Sequence, residues 1–355
     1  MKTVIIPTIS ELHSSIAQVP ATFIVIDEGE HRSYNKNVLS EREASFFGPR
    51  EREEWFKQRN ISKKLRDLIP KKCHAESSFG LLVALEKGAD YCFFFDDDVI
   101  VNNSILDEHI NVLNSETLLA VSSSTHWYNT LRLTDSPRGL HPRGFPFSLR
   151  GETPRYTFKT KTGRTILNQG LWTESPDLDS FTILMNGGSI ETGVCPIRIS
   201  TVKNSVALDA ATFTTVCSMN LAFRSEIIPA FYQLPMNEFG LDRYDDIWSG
   251  LFVKKIADKL GYYTSCGVPA CQHSRRPRLL INDFKKELIG FHINEVLWEL
   301  VLEEDLYSKN YADCYYELAQ KLAKKSSVFR GVTRKIFENI TSKMKLWTRL
   351  IDKIS

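Results

Sequence analysis

Apolar strand-like runs alternating with helix-like segments predict an α/β protein built on a mostly parallel, mixed sheet flanked by helices, with a helical extension at its C-terminal end. Three observations carry this. Residues 4–6 and 23–27 are apolar, β-branched runs separated by a helix-length segment around 9–18, a βαβ-like opening that sets neighbouring strands parallel. Residues 91–95 (Tyr-Cys-Phe-Phe-Phe) form an uninterrupted apolar run, as in strands buried on both faces of such a sheet. Residues 245–260, 283–325 and 328–355 space their apolar side chains at helical period.

In chain order, residues 38–72 are a charged stretch of loops and helices, with helical composition at 51–59. A helix is predicted over 75–88, where Ala75, Phe79, Leu82, Val83 and Leu85 share helical spacing and Gly88 supplies the stop. The apolar strand follows, ending in Asp96, Asp97 and Asp98, and 118–121 reads as the next strand. Residues 130–165, rich in Pro, Gly and Arg, read as a long loop or extended hairpin, and 168–179 lacks periodicity. Long segments without structure in a compact domain are often functional. The Ala-Lys-Lys-Ser-Ser stretch at 323–327 divides a catalytic-sized domain, 1–322, from a basic helix, 323–355.

Composition narrows the class. With 355 residues, 42% of them hydrophobic and 25% charged, the chain is globular rather than disordered. The net charge of +2 hides an uneven distribution: residues 321–355 hold ten basic and two acidic side chains, so the tail carries about +8 and the remainder about −6. Seven irregularly spaced cysteines with no CxxC pair do not read as a zinc site but as reduced thiols, which points to the cytoplasm. The first apolar run is broken by Pro7 and is too short for a signal peptide. Nothing reaches the roughly 18 apolar residues of a membrane span.

Three adjacent carboxylates at the end of an apolar strand repel one another unless a cation is bound, and Mn²⁺ or Mg²⁺ would relieve them. In open α/β sheets ligands gather at the carboxyl ends of strands. Asp96 and Asp98, two residues apart in extended backbone, point to one side, where one can hold a metal and the other a ribose or a metal-bound water. His273 is the best third ligand, although a surface histidine beside the basic run Arg275-Arg276-Pro277-Arg278 has the same local sequence; those arginines suit phosphate oxygens. Asp245 and Asp246 open a predicted helix, where acids serve either as ordinary caps or as groups that bind or deprotonate an acceptor hydroxyl. Of the tryptophans that could stack on a sugar, Trp127, Trp172 and Trp248, the one in the irregular stretch, Trp172, is favoured.

Taken together, several segments in order over about residues 4–300 resemble the reversibly glycosylated polypeptides, also called UDP-arabinopyranose mutases. They are Ile5-Ile6-Pro7-Thr8-Ile9, Val25-Ile26-Asp27-Glu28-Gly29, Phe79-Gly80, Phe95-Asp96-Asp97-Asp98, Gly170-Leu171-Trp172 with Pro176-Asp177-Leu178-Asp179, Cys217-Ser218-Met219-Asn220-Leu221-Ala222-Phe223, Arg243-Tyr244-Asp245-Asp246-Ile247-Trp248-Ser249-Gly250, and His273-Ser274. The resemblance implies a Rossmann-like GT-A fold, a UDP-sugar and a divalent metal, usually Mn²⁺. It implies a metal–nucleotide site of Asp96 and Asp98 completed by His273. Asp27 would lie near the base or ribose, and Asp97, Trp172, Asn220 and Arg243 would be among the nucleotide-sugar contacts. Asp245 and Asp246 would face the sugar or acceptor.

One departure matters. Mutases of the family carry a reversibly glycosylated arginine two residues before the Phe-Gly pair, where this chain has Ser77. That favours sugar transfer from a nucleotide-sugar to an external glycan or lipid-linked acceptor. A nucleotide-sugar mutase and a non-catalytic partner subunit are the alternatives. Residues 328–355 form an amphipathic basic helix, read either as a peripheral membrane anchor or as a helix packed on the protein or on a second copy in a homo-oligomer. Its basic residues match no nucleic-acid motif.

Overall fold

The computed structural model describes residues 1–354. Among the described residues eleven strands form one sheet: β1 (Lys2–Thr8), β2 (Thr22–Asp27), β3 (Ala44–Phe47), β4 (Tyr91–Phe95), β5 (Val99–Ile100), β6 (Thr117–Ser123), β7 (Tyr156–Thr162), β8 (Thr165–Glu174), β9 (Val206–Leu208), β10 (Asn220–Arg224) and β11 (Tyr263–His273). Their order is β3-β2-β1-β4-β10-β8-β11-β9-β6-β7, with β5 on β11. The first four strands in that order run parallel. Beyond them β10 is antiparallel to both β4 and β8, whereas β8 and β11 are again parallel. The fold is thus a mixed α/β, Rossmann-like sheet flanked by helices.

The flanking helices are α1 (Arg32–Val38), α2 (Pro49–Gln58), α3 (Lys63–Arg66), α4 (Ser77–Glu86), α5 (Ile105–Asn114), α6 (Ser180–Met185), α7 (Asp245–Leu260), α8 (Leu280–Glu303), α9 (Tyr311–Lys324) and α10 (Gly331–Ile354). The β1–β2 connection holds only a short 3₁₀ turn, Ser14–Gln18, where a helix was expected. In α4 every residue from Ser77 to Ala84 is buried. Its Phe79 sits edge-on to Phe47, Trp55 and Phe56 at 5.1–5.4 Å. Gly80 lets α4 reach the sheet, since a Cβ there would stand 2.3 Å from Ile5 Cγ2. The Phe-Gly pair is therefore a packing device, and Gly88, at φ +67°, follows the helix end as expected.

The stretch 168–179 corrects the sequence reading. It begins inside β8, a central strand buried from Thr165 to Trp172. A strand covered on both faces shows no period-two alternation, and Asn168, Gln169 and Gly170 disguise it further. Their polar groups are satisfied internally: Asn168 Nδ2 donates to Val268 O at 3.0 Å, and Gln169 Oε1 accepts from Cys217 N at 2.6 Å.

The apolar face of α10 is spent on the protein. Phe337, Ile340, Met344, Trp347 and Ile351 are buried in the same cluster as α4, α7 and α9. Trp347 stacks on Tyr232 at 4.8 Å, and its indole N–H donates to Ile228 O. The surface that would have entered a bilayer is thereby covered, since each such side chain gains about 1.5–3 kcal/mol from burial in the core. Among the described residues no helix is long and apolar enough to cross a membrane.

Candidate active site

A cavity of about 250 Å³ opens at the carboxyl end of β4, lined by Asp96, Asp98, His273, His74, Asp245, Asp246, Arg143, Asp177 and Arg243 among others. Backbone pairing places its first wall. The short β5 runs antiparallel to the end of β11, with His273 opposite Val99, and Ser274 N donates to Asp98 O at 3.0 Å. Asp98 Oδ2 and His273 Nε2 consequently face each other at 3.7 Å. His273 Nδ1 lies 2.7 Å from Ser175 O. Because a carbonyl can only accept, Nδ1 donates to Ser175 O, and this bond sets the ring so that Nε2 is the nitrogen facing Asp98.

The aspartate triplet divides its labour. Asp97 turns away from the cavity, accepting from Thr8 Oγ1 at 2.6 Å and pairing with Arg276 at 3.1 Å. Burial raises its pKa, against the pull of Thr8 and Arg276. Asp98 is half-buried, but His273 and the arginines 276 and 278 outweigh the cost of desolvation and hold its carboxyl below the ordinary value. Asp96 and His74 are the more open side chains, each 31% exposed. Among the described residues no three His, Cys, Asp or Glu side chains converge into a closed cation cage. What faces the cavity is an open pair, Asp98 and His273, with Asp96 beside it.

The second wall is the N-terminus of α7. Asp246 accepts from Arg143 Nη2 and from Ser218 N, both at 3.2 Å. Arg143 in turn grips Asp177, with Nε 3.0 Å from each carboxylate oxygen. Burial alone would push Asp177 up, but Arg143 and Arg243 hold it well below the carboxylate range. Asp246 stays above its ordinary value because burial and the neighbouring Asp245 outweigh Arg143. Arg243, before the helix, has φ +68°, a left-handed conformation costing a non-glycine residue on the order of 1 kcal/mol. Its guanidinium bonds to Glu287 and lies 3.8 Å from both Asp177 and Asp283. Asp245 accepts from His74 Nδ1 at 2.6 Å. Burial disfavours the imidazolium, but Asp245 and Asp96 more than offset this and raise the pKa of His74.

The model for reversibly glycosylated polypeptides matches residues 55–355. The chain belongs to that family. A Pisum sativum relative, probable UDP-arabinopyranose mutase 1, is 28% identical over 98% of this chain and 86% of its own length. UDP-arabinopyranose mutase 1 of Arabidopsis thaliana is 27% identical over 97% of this chain and 87% of its own, and UDP-arabinopyranose mutase 3 of the same plant is 32% identical over 70% and 64%.

Asp96, Asp98, His273, Arg243, Asp245 and Asp246 all line the one cavity, and four other expected contacts do not: Asp97, turned to Thr8 and Arg276, and Trp172, Asn220 and Asp27. Trp172 is 2% exposed in the core, so it presents no face to a sugar. Asn220 is fully buried: its Nδ2 donates to Leu171 O and Pro269 O, and its Oδ1 faces His109 Nε2 at 2.9 Å. It fills the irregularity in β11 between Gly267 and Ala270, where carbonyls leave the ladder. Asp27 is 2% exposed, with its oxygens accepting from Gly29 N and Asn35 Nδ2, so it braces the loop after β2 and does not line the cavity. Arg275 and Arg278 also line the cavity but pair with Asp283, and Arg276 pairs with Asp97.

The sequence reading missed Arg143, Asp177 and His74. Asp177 lay in one of the quoted segments and could have been marked from it. Arg143 lies in a loop rich in arginine, and His74 is a lone histidine before a helix; neither carries a local signal.

Proposed function

We propose that the protein is a metal-dependent UDP-sugar enzyme of the mutase type, an intramolecular transferase that rearranges the sugar ring while it remains nucleotide-linked. The observation that carries this is the convergence, at the carboxyl end of β4, of the Asp98–His273 pair with the acids that begin α7. The donor set fits Mn²⁺ or Mg²⁺. Asp98 and His273, 3.7 Å apart at the cavity wall, would hold such an ion between them. Asp96 is at hand as a further ligand. Water and diphosphate oxygens complete hard-cation shells of this kind. When bound, the ion neutralises charge on the diphosphate. Of the chain's own residues, Asp245 would meet the sugar, while Arg143 and Asp246 brace the cavity wall beside it.

The relatives' names favour the mutase over the transfer reading to which Ser77 pointed. A specific observation keeps transfer to an external glycan or lipid-linked acceptor as the second reading: Ser77 is fully buried and its Oγ donates to His74 O at 2.9 Å, so this position offers no group to the sugar. Incubation with a panel of UDP-sugars and Mn²⁺, without acceptor, separates the two. A ring-rearranged UDP-sugar identifies a mutase. UDP released only when an acceptor glycan is added identifies a transferase. No Mn²⁺-dependent UDP binding at all would leave a non-catalytic subunit.

A further inference from the structure

Two His–Asp pairs face the same cavity, His273 with Asp98 and His74 with Asp245, and the metal reading uses only the first. His74 begins a 3₁₀ turn, His74–Glu76, that leads into α4. The turn is pinned from three sides. Ser77 Oγ donates to the His74 carbonyl, Glu76 N donates to Cys73 O at 3.0 Å, and the buried Glu76 carboxylate lies 3.5 Å from Arg52. The imidazole is thereby presented to the cavity in one orientation, with Nδ1 on Asp245 Oδ2 at 2.6 Å. Its other nitrogen, Nε2, lies 3.3 Å from Ser218 Oγ and 3.6 Å from Asp96 Oδ1.

Exposure separates His74 from the rest of that wall. The side chains of Arg143, Asp177 and Asp246 are 4–8% exposed and saturated by one another. The His74 ring is 31% exposed, and its Nε2 edge is bounded by Ser218 and Asp96, the latter beside the Asp98–His273 pair. A histidine whose only task was to pack would be closed off like Asp246.

We propose that His74 is a substrate-contacting residue of this site, orienting Asp245 through Nδ1 and offering Nε2 to a hydroxyl of the sugar carried on the bound nucleotide. A hydroxyl both donates and accepts, so it can pair with Nε2 whichever role the nitrogen takes. The inference rests on the nucleotide-sugar reading of the site. It places the sugar, not the nucleotide, against His74, and it makes this histidine a determinant of which sugar is accepted.

The test compares affinities for UDP and for a UDP-sugar, both with Mn²⁺, by calorimetry on the full chain. The variants are His74→Ala, His74→Asn and His74→Gln. Asparagine keeps a donor near the position of Nδ1 and loses Nε2; glutamine reaches toward the position of Nε2. The expected result is UDP affinity within twofold of wild type in all three variants. UDP-sugar affinity should fall at least tenfold in His74→Ala and His74→Asn, with partial recovery in His74→Gln. Loss of fold lowers both affinities together, so their ratio reports the contact itself. Wild-type protein that binds UDP-sugar more tightly than UDP, together with an unchanged ratio in His74→Asn, overturns the assignment of His74 alone. Wild-type protein that binds neither ligand removes the nucleotide-sugar reading and this inference with it.

Discussion

Two groups of acids stand on opposite walls of one cavity, and the structure treats them differently. On the α7 side, Asp177 and Asp246 share the buried guanidinium of Arg143, Asp246 also accepts from Ser218 N, and Asp245 is met by His74. Each charge there has a partner in the chain. On the β4 side, Asp97 is paired with Arg276, whereas Asp98 faces the ring of His273 at 3.7 Å with Arg276 and Arg278 acting on it from farther off, and Asp96 faces His74 at 3.6 Å. The first group is complete without a ligand. The second keeps side-chain oxygens of Asp96 and Asp98 free of hydrogen bonds and turned to the cavity, where a cation could be bound. The contrast teaches that acid count alone does not mark a candidate metal site; what marks it is which acids the fold leaves without hydrogen bonds.

If the α7 group is architectural, removing its shared cation should have the largest effect. Arg143→Met leaves Asp246 buried without its arginine and Asp177 with Arg243 alone at 3.8 Å, and should cost about 3–5 kcal/mol of stability, read from urea unfolding. A cost below about 1 kcal/mol would show that this wall is not held by the arginine. The β4 group should behave in the opposite way. Asp98→Asn should leave stability within about 0.5 kcal/mol while abolishing at least tenfold, or about 1.4 kcal/mol, of Mn²⁺-dependent UDP affinity. Retained Mn²⁺ dependence would break the contrast. The smallest effect concerns pH. Asp177 has its pKa depressed in the folded state, so its contribution is fully present above about pH 4 and is lost as pH falls toward the folded pKa. Asp177→Asn should therefore flatten the acid limb of the stability profile, measured by denaturation midpoints between pH 5 and about pH 2. An unchanged acid limb would show that other carboxylates carry it.

Legibility followed the range of the interaction. The apolar run of β4, the start of α7 at Asp245 and the stop after α4 at Gly88 were readable because strand burial, helical period and helix termination are encoded within a few residues. The end of β8 was misread because a strand buried on both faces has no alternation to detect, and its Asn168 and Gln169 looked like loop chemistry. Asn220 and Trp172 sit in segments whose identity is informative, but what demands them is core packing and an interrupted ladder rather than a ligand. The periodicity of α10 was plain, yet period alone cannot say whether an apolar stripe meets a membrane or a core; Tyr232 and Ile228 supply the answer.

By itself the sequence determined that the chain is an α/β protein, that three carboxylates crowd the end of an apolar strand, and that its segments follow those of one family. Those properties are local or ordered along the chain. Only the tertiary structure decided that His74 meets Asp245 across 171 positions, that Arg143 meets Asp246 across 103, and that Asp27 is closed off while Asp98 is left open. Charge pairing at close range depends on which strand ends and loops the sheet order brings side by side, and that order is set by packing of the whole chain.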